Sequence, residues 1–294
     1  MIELSNLPNK KTNESPFHLF WERFRKNTPA TIGLILLVLL LAASLAAPLL
    51  TNMDPLKNNL IEALEKPSAT HPLGTDYLGR DIFSRILYGG RLTLTIGFLA
   101  VSLGLVIGVP LGAVSGYYGG WADLLIQRIA DILLSFPSFL LALTLVALMG
   151  VGERNLIISV GILAIPSFIR LVRGAVLTLR SQLYIEAARS IGAQDWRIIF
   201  KHILPNAMVP VIINASLNLG YAITTAAGLG FLGLGVQPPT PEWGTMLGES
   251  KTYIFSHPYM LTSPGIAIFI AIIGLNLVGD GLRDALDPRL KNLL

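Results

Sequence analysis

Apolar residues come along this chain in six long runs parted by shorter polar stretches. The runs extend from about Thr31 to Leu50, Leu92 to Ser115, Leu124 to Met149, Leu156 to Leu179, Ala207 to Leu234 and Pro264 to Leu282. A helix that crosses a bilayer needs about 20 mostly apolar residues, and each run comes close to that length. The pattern predicts an all-α, polytopic membrane protein with six transmembrane helices. The first run is expected to be a retained helix. Residues 1–30 ahead of it are largely polar, and it outlasts the apolar core of a signal peptide.

Charge orients the runs. Lys10, Lys11, Arg23, Arg25 and Lys26 precede the first. Arg180, Arg189, Arg197 and Lys201 follow the fourth, with Arg170 and Arg173 just before them, and Arg283, Arg289 and Lys291 follow the sixth. The opposite side has Lys57, Lys66, Arg80, Arg85, Arg91, Arg154 and Lys251, with acids among them. Basic residues favour the cytoplasmic side, so both termini and the loop at 181–206 are expected there. The chain then divides into a cytoplasmic tail (1–30), a first helix (31–50), an external loop with an interfacial helix (51–91), a five-helix core (92–283) and a second cytoplasmic tail (284–294).

Composition agrees with a membrane protein. Hydrophobic residues make up 52% and charged ones 14%, against about 25% charged in soluble domains. Mean hydropathy is +0.62. There is no cysteine, and His18, His71, His202 and His257 are scattered, so neither a disulfide framework nor a metal-ligand spacing is present. The net charge of +4 sits beside apolar runs, as a topology signal rather than a nucleic-acid surface.

Some charges need placing. From Leu156 to Ile169 the fourth run reaches about 21 Å as a helix, short of a core about 30 Å thick, so either Arg170 snorkels to the interface or the helix is buried by its neighbours. Arg128 and Asp131 are expected at the interface, as a local pair. In the second run Ala100, Gly104, Gly108, Gly112 and Gly116 recur every fourth position. That spacing makes a smooth face for close helix packing.

The stretch from Gln182 to Asn206 carries the most information. Ser181 is a plausible N-cap. Leu183, Tyr184, Ala187, Ala188 and Ile191 form an apolar stripe at helical spacing. Gly192 suits a helix C-terminus, Asp195 can cap a second helix bearing Trp196, Ile199, Phe200 and Ile203, and Pro205 ends it. Two readings stay open on these grounds: interfacial helices lying on lipid, or a knob that docks into a groove on a partner.

Glu186-Ala187-Ala188, then Gly192, then Ile203-Leu204-Pro205 resembles the EAA loop of binding-protein-dependent ABC importer permeases. The resemblance implies that this loop is the coupling helix held in a cleft of the ATP-binding subunit, through Glu186, Ala187, Ala188, Gly192, Trp196 and Pro205. His71 to Leu94, Phe231 to Gly244 and Asn276 to Leu290 resemble the C-type subunits of dipeptide, oligopeptide and nickel importers. A MetI-like five-helix core after an extra N-terminal helix is implied. So are a B-type permease subunit, two ATP-binding subunits and an extracytoplasmic solute-binding protein as partners in a prokaryotic inner membrane. The implied cargo is a peptide, with nickel or another small solute as the alternative. One departure stands out. The family often has an acid close before the Phe231-Leu-Gly-Leu-Gly segment, where this chain has Ala226, Ala227 and Gly228.

Other chemistry is weaker. His71, Asp76 and Asp81 could suggest a metal, but Gly74, Thr75 and Asp76 look like turn and capping residues. Ile82, Phe83, Ile86 and Leu87 fit an interfacial helix with Arg80, Asp81 and Arg85 on its wet side. Gly248-Glu-Ser-Lys251-Thr252 lacks the Gly-Lys step of a phosphate loop, so ATP hydrolysis is expected from a partner and no cofactor is expected here. A secondary transporter or channel would carry ionisable residues deep in its helices, and these runs are nearly charge-free. No nucleophile–base constellation suggests a membrane enzyme.

The fifth run places Asn214, Asn218, Tyr221 and Thr225 on one face. They could glue helices together, at about 0.6 kcal/mol each, or line a wet path. In the resembling family the helix after the EAA loop borders the path, which makes these four the candidate path-lining residues, Asn218 foremost.

Overall fold

The computed structural model describes residues 16–286. Lys10, Lys11, Arg289, Lys291 and most of the expected C-terminal tail lie outside the described residues. Among those described, the chain is helical with no strand and one isolated bridge, Thr75 to Asp81. First come α1 (Pro16–Lys26), α2 (Thr28–Leu45) and the single turn α3 (Ala47–Leu50). After a loop follow α4 (Ile82–Tyr118), α5 (Gly120–Ser135), α6 (Ser138–Met149) and α7 (Glu153–Arg180). Two short helices, α8 (Leu183–Ser190) and α9 (Asp195–Arg197), lead through a π-helical segment, Ile198–Ile203, into α10 (Leu204–Phe231). Next are α11 (Trp243–Ser250) and α12 (Tyr259–Leu286).

Among the described residues five helices are long and apolar enough to cross a membrane: α2, α4, α7, the continuous Asp195–Phe231 helix and α12. The sixth span exists only as α5 and α6 together, and these meet at 93°. The single third helix expected from Leu124 to Met149 is thus corrected to a broken one. Phe136 is extended, with φ −93° and ψ 144°, as the residue before a proline prefers. Pro137 continues with ψ 122°, so no helical ladder passes between α5 and α6.

The glycine spacing of α4 is spent on α7. A Cβ at Gly104 would lie 2.6 Å from that of Ala164, and at Gly108 2.7 Å from that of Phe168. At Gly112 it would lie 2.7 Å from the Ile169 carbonyl oxygen, and at Gly116 2.9 Å from that of Arg173. The α4 and α7 backbones approach along the whole stripe, and Phe168, Val172 and Val176 fill the seam as buried core. α12 holds α2 in the same way, with Gly33 against Gly274 and Leu277, and Gly281 against Ala30. Asn27 caps α2 and also donates to Asp284. The start of α2 and the end of α12 therefore lie together, at the end of the bundle that carries α8.

At the other end the structure corrects the interfacial helix. Residues 82–91 are not a separate element but the first turns of the 37-residue α4, which Asp81 caps by accepting from the Ser84 N–H. Arg80 and Arg85 are not on a wet face; each is 1% exposed. Arg80 reaches Asp76 at 2.6 Å and Glu249 at 3.2 Å, and Arg85 reaches Glu249 at 3.0 Å. Buried charges persist only when paired and hydrogen-bonded, and Glu249 of α11 supplies the pairing. Burial alone would lower the Arg80 pKa, but the Asp76 and Glu249 carboxylates more than offset this and hold it above the ordinary arginine value. Tyr77 donates to Glu249. Burial first, then that carboxylate, pushes its phenol above the usual range. His71 lies 3.0 Å from Asp81, which, like Asp76, is committed to protein partners.

The charges near α5 pair between helices rather than locally. Asp131 meets Arg170 at 2.6 Å, not Arg128 one turn away, and Asp123 takes a two-pronged contact from Arg173. Arg170 and Arg173 thereby find partners across the α5–α7 contact.

Candidate functional site: the loop end and the α10 face

The 181–206 loop is a hairpin of short helices, but its details differ from the expectation. Ser181 closes α7, and Gln182 precedes α8 without a side-chain cap. Gly192 has φ +79°, the left-handed region that favours glycine. Its N–H donates to the Arg189 carbonyl, and that of Ala193 to Ala188, closing the end of α8. Among the described residues nothing lies within 4 Å of a Cβ built at Gly192, so its requirement there is conformational. Asp195 opens α9 but caps nothing; its carboxylate takes the Tyr117 hydroxyl at 2.6 Å.

Pro205 does not end the second helix. It sits in the first turn of α10, directly after the π-helical segment. Its missing N–H and its ring would break a regular α-helix, whereas the wider π turns have already interrupted the ladder there. The loop therefore passes straight into a long membrane helix.

Burial divides the apolar residues of the hairpin. Ile185 and Ala188 of α8 point inward, joining Ile198, Ile199 and Ile203 in the main core. The rest of the expected stripe faces out. Leu183 is 82% exposed, Ile191 87%, and Trp196 and Phe200 62% each, with Tyr184, Glu186 and Ala187 exposed beside them. The Trp196 indole is steadied by donating to Gln194 at 2.6 Å. A stable surface does not ordinarily gather such side chains unless something covers them.

On α10 the four polar positions have different surroundings. Asn214 donates to Ser167 of α7 at 3.1 Å. Asn218 donates to the Asn214 carbonyl one turn back, and Thr225, which is buried, donates to that of Tyr221. Tyr221 is exposed. Within one chain the row runs from helix glue at Asn214 to an open ring at Tyr221.

The residues missed by sequence reasoning act over long separations. Glu242, fully buried, accepts from the N–H groups of Gly244 and Thr245 and from the Thr93 hydroxyl of α4. Its carboxylate lies so near Gly230 that a Cβ there would approach it to 2.9 Å. A carboxylate thus borders the segment whose expected acid is absent, delivered from the next loop. Glutamate is not a preferred cap, so no local signal marked it.

Residues 108–292 match the family described as "Binding-protein-dependent transport system inner membrane component", and residues 15–67 match "N-terminal TM domain of oligopeptide transport permease C". The chain belongs to the binding-protein-dependent transport permeases. It is 48% identical to the dipeptide transport system permease protein DppC of Alkalihalophilus pseudofirmus over 281 residues, covering 96% of this chain and 92% of that protein. It is 47% identical to the glutathione transport system permease protein GsiD of Pectobacterium atrosepticum, covering 98% and 97%. In fold the permease is similar to a chain of the inward-facing MetNI methionine ABC transporter, with a TM-score of 0.57 and 24% identity over 69% of this chain and 97% of that one. The permease is accordingly a membrane-embedded subunit of an ABC importer with a MetI-like fold.

Proposed function

We propose that this permease, with a B-type permease subunit, forms the membrane path of an importer for dipeptides or oligopeptides. Two ATP-binding subunits drive it by gripping the 181–206 hairpin, and an extracytoplasmic solute-binding protein delivers the cargo. The carrying observation is the exposed group Leu183, Ile191, Trp196 and Phe200 on a hairpin that continues directly into α10. Such a group fits a groove on a partner, and its continuity with α10 gives movement of the hairpin a route into the membrane. The relatives' names, dipeptide and glutathione permeases, support a short peptide as cargo. The hairpin and both ends of the described chain share one end of the bundle, and the basic residues there favour the cytoplasm. Asn214, Asn218, Tyr221 and Thr225 remain the proposed path residues, with Tyr221 open and Asn214 freed once α7 and α10 separate.

Single cysteines test this reading, since the chain has none of its own. In inside-out vesicles stripped of ATP-binding subunits, a cysteine replacing Trp196 should react with an impermeant thiol reagent. Returning the subunits should protect it. A cysteine replacing Tyr221 should change its reactivity when nucleotide is trapped. A Trp196 site that labels equally with and without the subunits would sink the coupling role.

A further inference from the structure

We propose that Tyr117 is the positioning residue that fastens the hairpin to α4, so that movement of the hairpin is passed to the α4–α7 pair as well as to α10. The proposal rests on the reading of the hairpin as the element gripped by the ATP-binding subunits. Tyr117 is the penultimate residue of α4 and is buried. Three parts of the chain converge on it. Its hydroxyl donates to the Asp195 carboxylate at 2.6 Å, at the start of α9. The Arg189 guanidinium, in the last turn of α8, lies over its ring at 5.2 Å. Arg180, at the end of α7, donates to the carbonyls of Gly116 and Tyr117 at 3.2 and 3.0 Å.

The arrangement has a mechanical consequence. α8 and α9 are joined by the turn at Gly192 and packed together through Ile185, Ala188 and Ile198, and polar contacts to α4 are made from both arms. One aromatic side chain engages both. An O–H to carboxylate bond of this length is charge-assisted and about twice as strong as a neutral one. Tyr117 also sits one residue beyond Gly116, the end of the glycine stripe that seats α4 on the α7 backbone. A pull on Asp195 therefore reaches α4 at the end of the stripe along which it is fitted to α7. α7 in turn is bonded through Ser167 to Asn214 of α10, so the two routes meet beside the proposed path.

The test uses the assembled transporter in proteoliposomes and reads ATP hydrolysed per solute imported, with assembly measured separately by co-purification. Tyr117→Phe removes the hydroxyl and keeps the ring, its packing and the Arg189 contact. It should assemble and hydrolyse ATP while import per ATP falls roughly tenfold, the ratio equivalent to one hydrogen bond to a charged group. Asp195→Asn, which keeps an acceptor oxygen, should fall less. Wild-type import per ATP in Tyr117→Phe would overturn the proposal. So would loss of assembly with unchanged import per remaining complex, since Tyr117 would then only support the fold. A cysteine replacing Ile191 serves as the control. If the wild-type ATP-binding subunits fail to protect it from labelling, the hairpin is not their site and the proposed function itself fails.

Discussion

The two ends of α4 are finished in opposite ways. At the Asp81 end, Arg80, Arg85, Asp76 and Glu249 are charged side chains withdrawn from solvent and joined to one another. At the Tyr118 end, Leu183, Ile191, Trp196 and Phe200 are large apolar side chains held out in the open. Each end breaks the ordinary rule of apolar inside and charged outside, in contrary directions. Buried charges carry a desolvation cost that is offset only by partners with good geometry, and the first end finds those partners within the chain. Exposed apolar groups lose the stabilisation of burial, about 1.5–3 kcal/mol for each fully covered large side chain, and the second end has no cover among the described residues. The first end is complete in a single chain; under the proposed function the second is completed by the ATP-binding subunits.

The buried charges of the first end depend most on Glu249. Glu249→Ala would leave Arg80 and Arg85 sharing Asp76, which lies 3.6 Å from the Arg85 Nε. Removing one partner from a buried cluster costs about 3–5 kcal/mol; with Asp76 still present the lower figure is expected. Thermal unfolding of the detergent-solubilised chain measures it. A loss below about 1 kcal/mol, the scale of an exposed pair, would show that water already reaches these charges and that the end is not self-contained.

Sequence legibility follows the same division. The spans were readable because each needs only a continuous apolar run, and the α4 stripe because glycine every fourth residue has few other uses. The hairpin was readable because Gly192 and the apolar positions lie within a few turns. The burial of Arg80 was not, because its partner Glu249 stands 169 positions away and arrives on α11. Nor was the tie between Tyr117 and Asp195, 78 positions apart. The break at Phe136–Pro137 had a local sign in its proline, but the apolar run continues across it and hides the bend. Pro205 misled in the other direction, since the π-helical segment before it lets the helix continue.

A smaller effect is expected in the shaft between the two ends. Gly112→Val would bring its Cβ to 2.7 Å from the Ile169 carbonyl oxygen and 2.9 Å from the Val172 Cβ. These are a backbone atom and a branched core side chain, and neither yields cheaply. Overpacking of this kind costs about 1–3 kcal/mol, so a loss of about 2 kcal/mol in thermal unfolding is expected. A neutral result would mean that α4 and α7 can part without penalty, and the fit that carries motion between them would be loose.

The smallest effect in the isolated chain is expected at Gly192, and it separates what the loop end needs by itself from what it needs in company. Its φ of +79° excludes most side chains. The empty space around it means that any replacement able to adopt that angle fits. Asn tolerates the left-handed region, so Gly192→Asn should cost less than the ~1–2 kcal/mol of an ordinary side chain there. Gly192→Val should cost about 1–2 kcal/mol through backbone strain. Transport by the full assembly provides the second measurement. If Asn is as harmless to import as to folding, the glycine is there for its backbone alone. If Asn folds normally yet stops import as fully as Val does, the missing side chain is needed by the surface that covers the hairpin, and Gly192 lies within the contact itself.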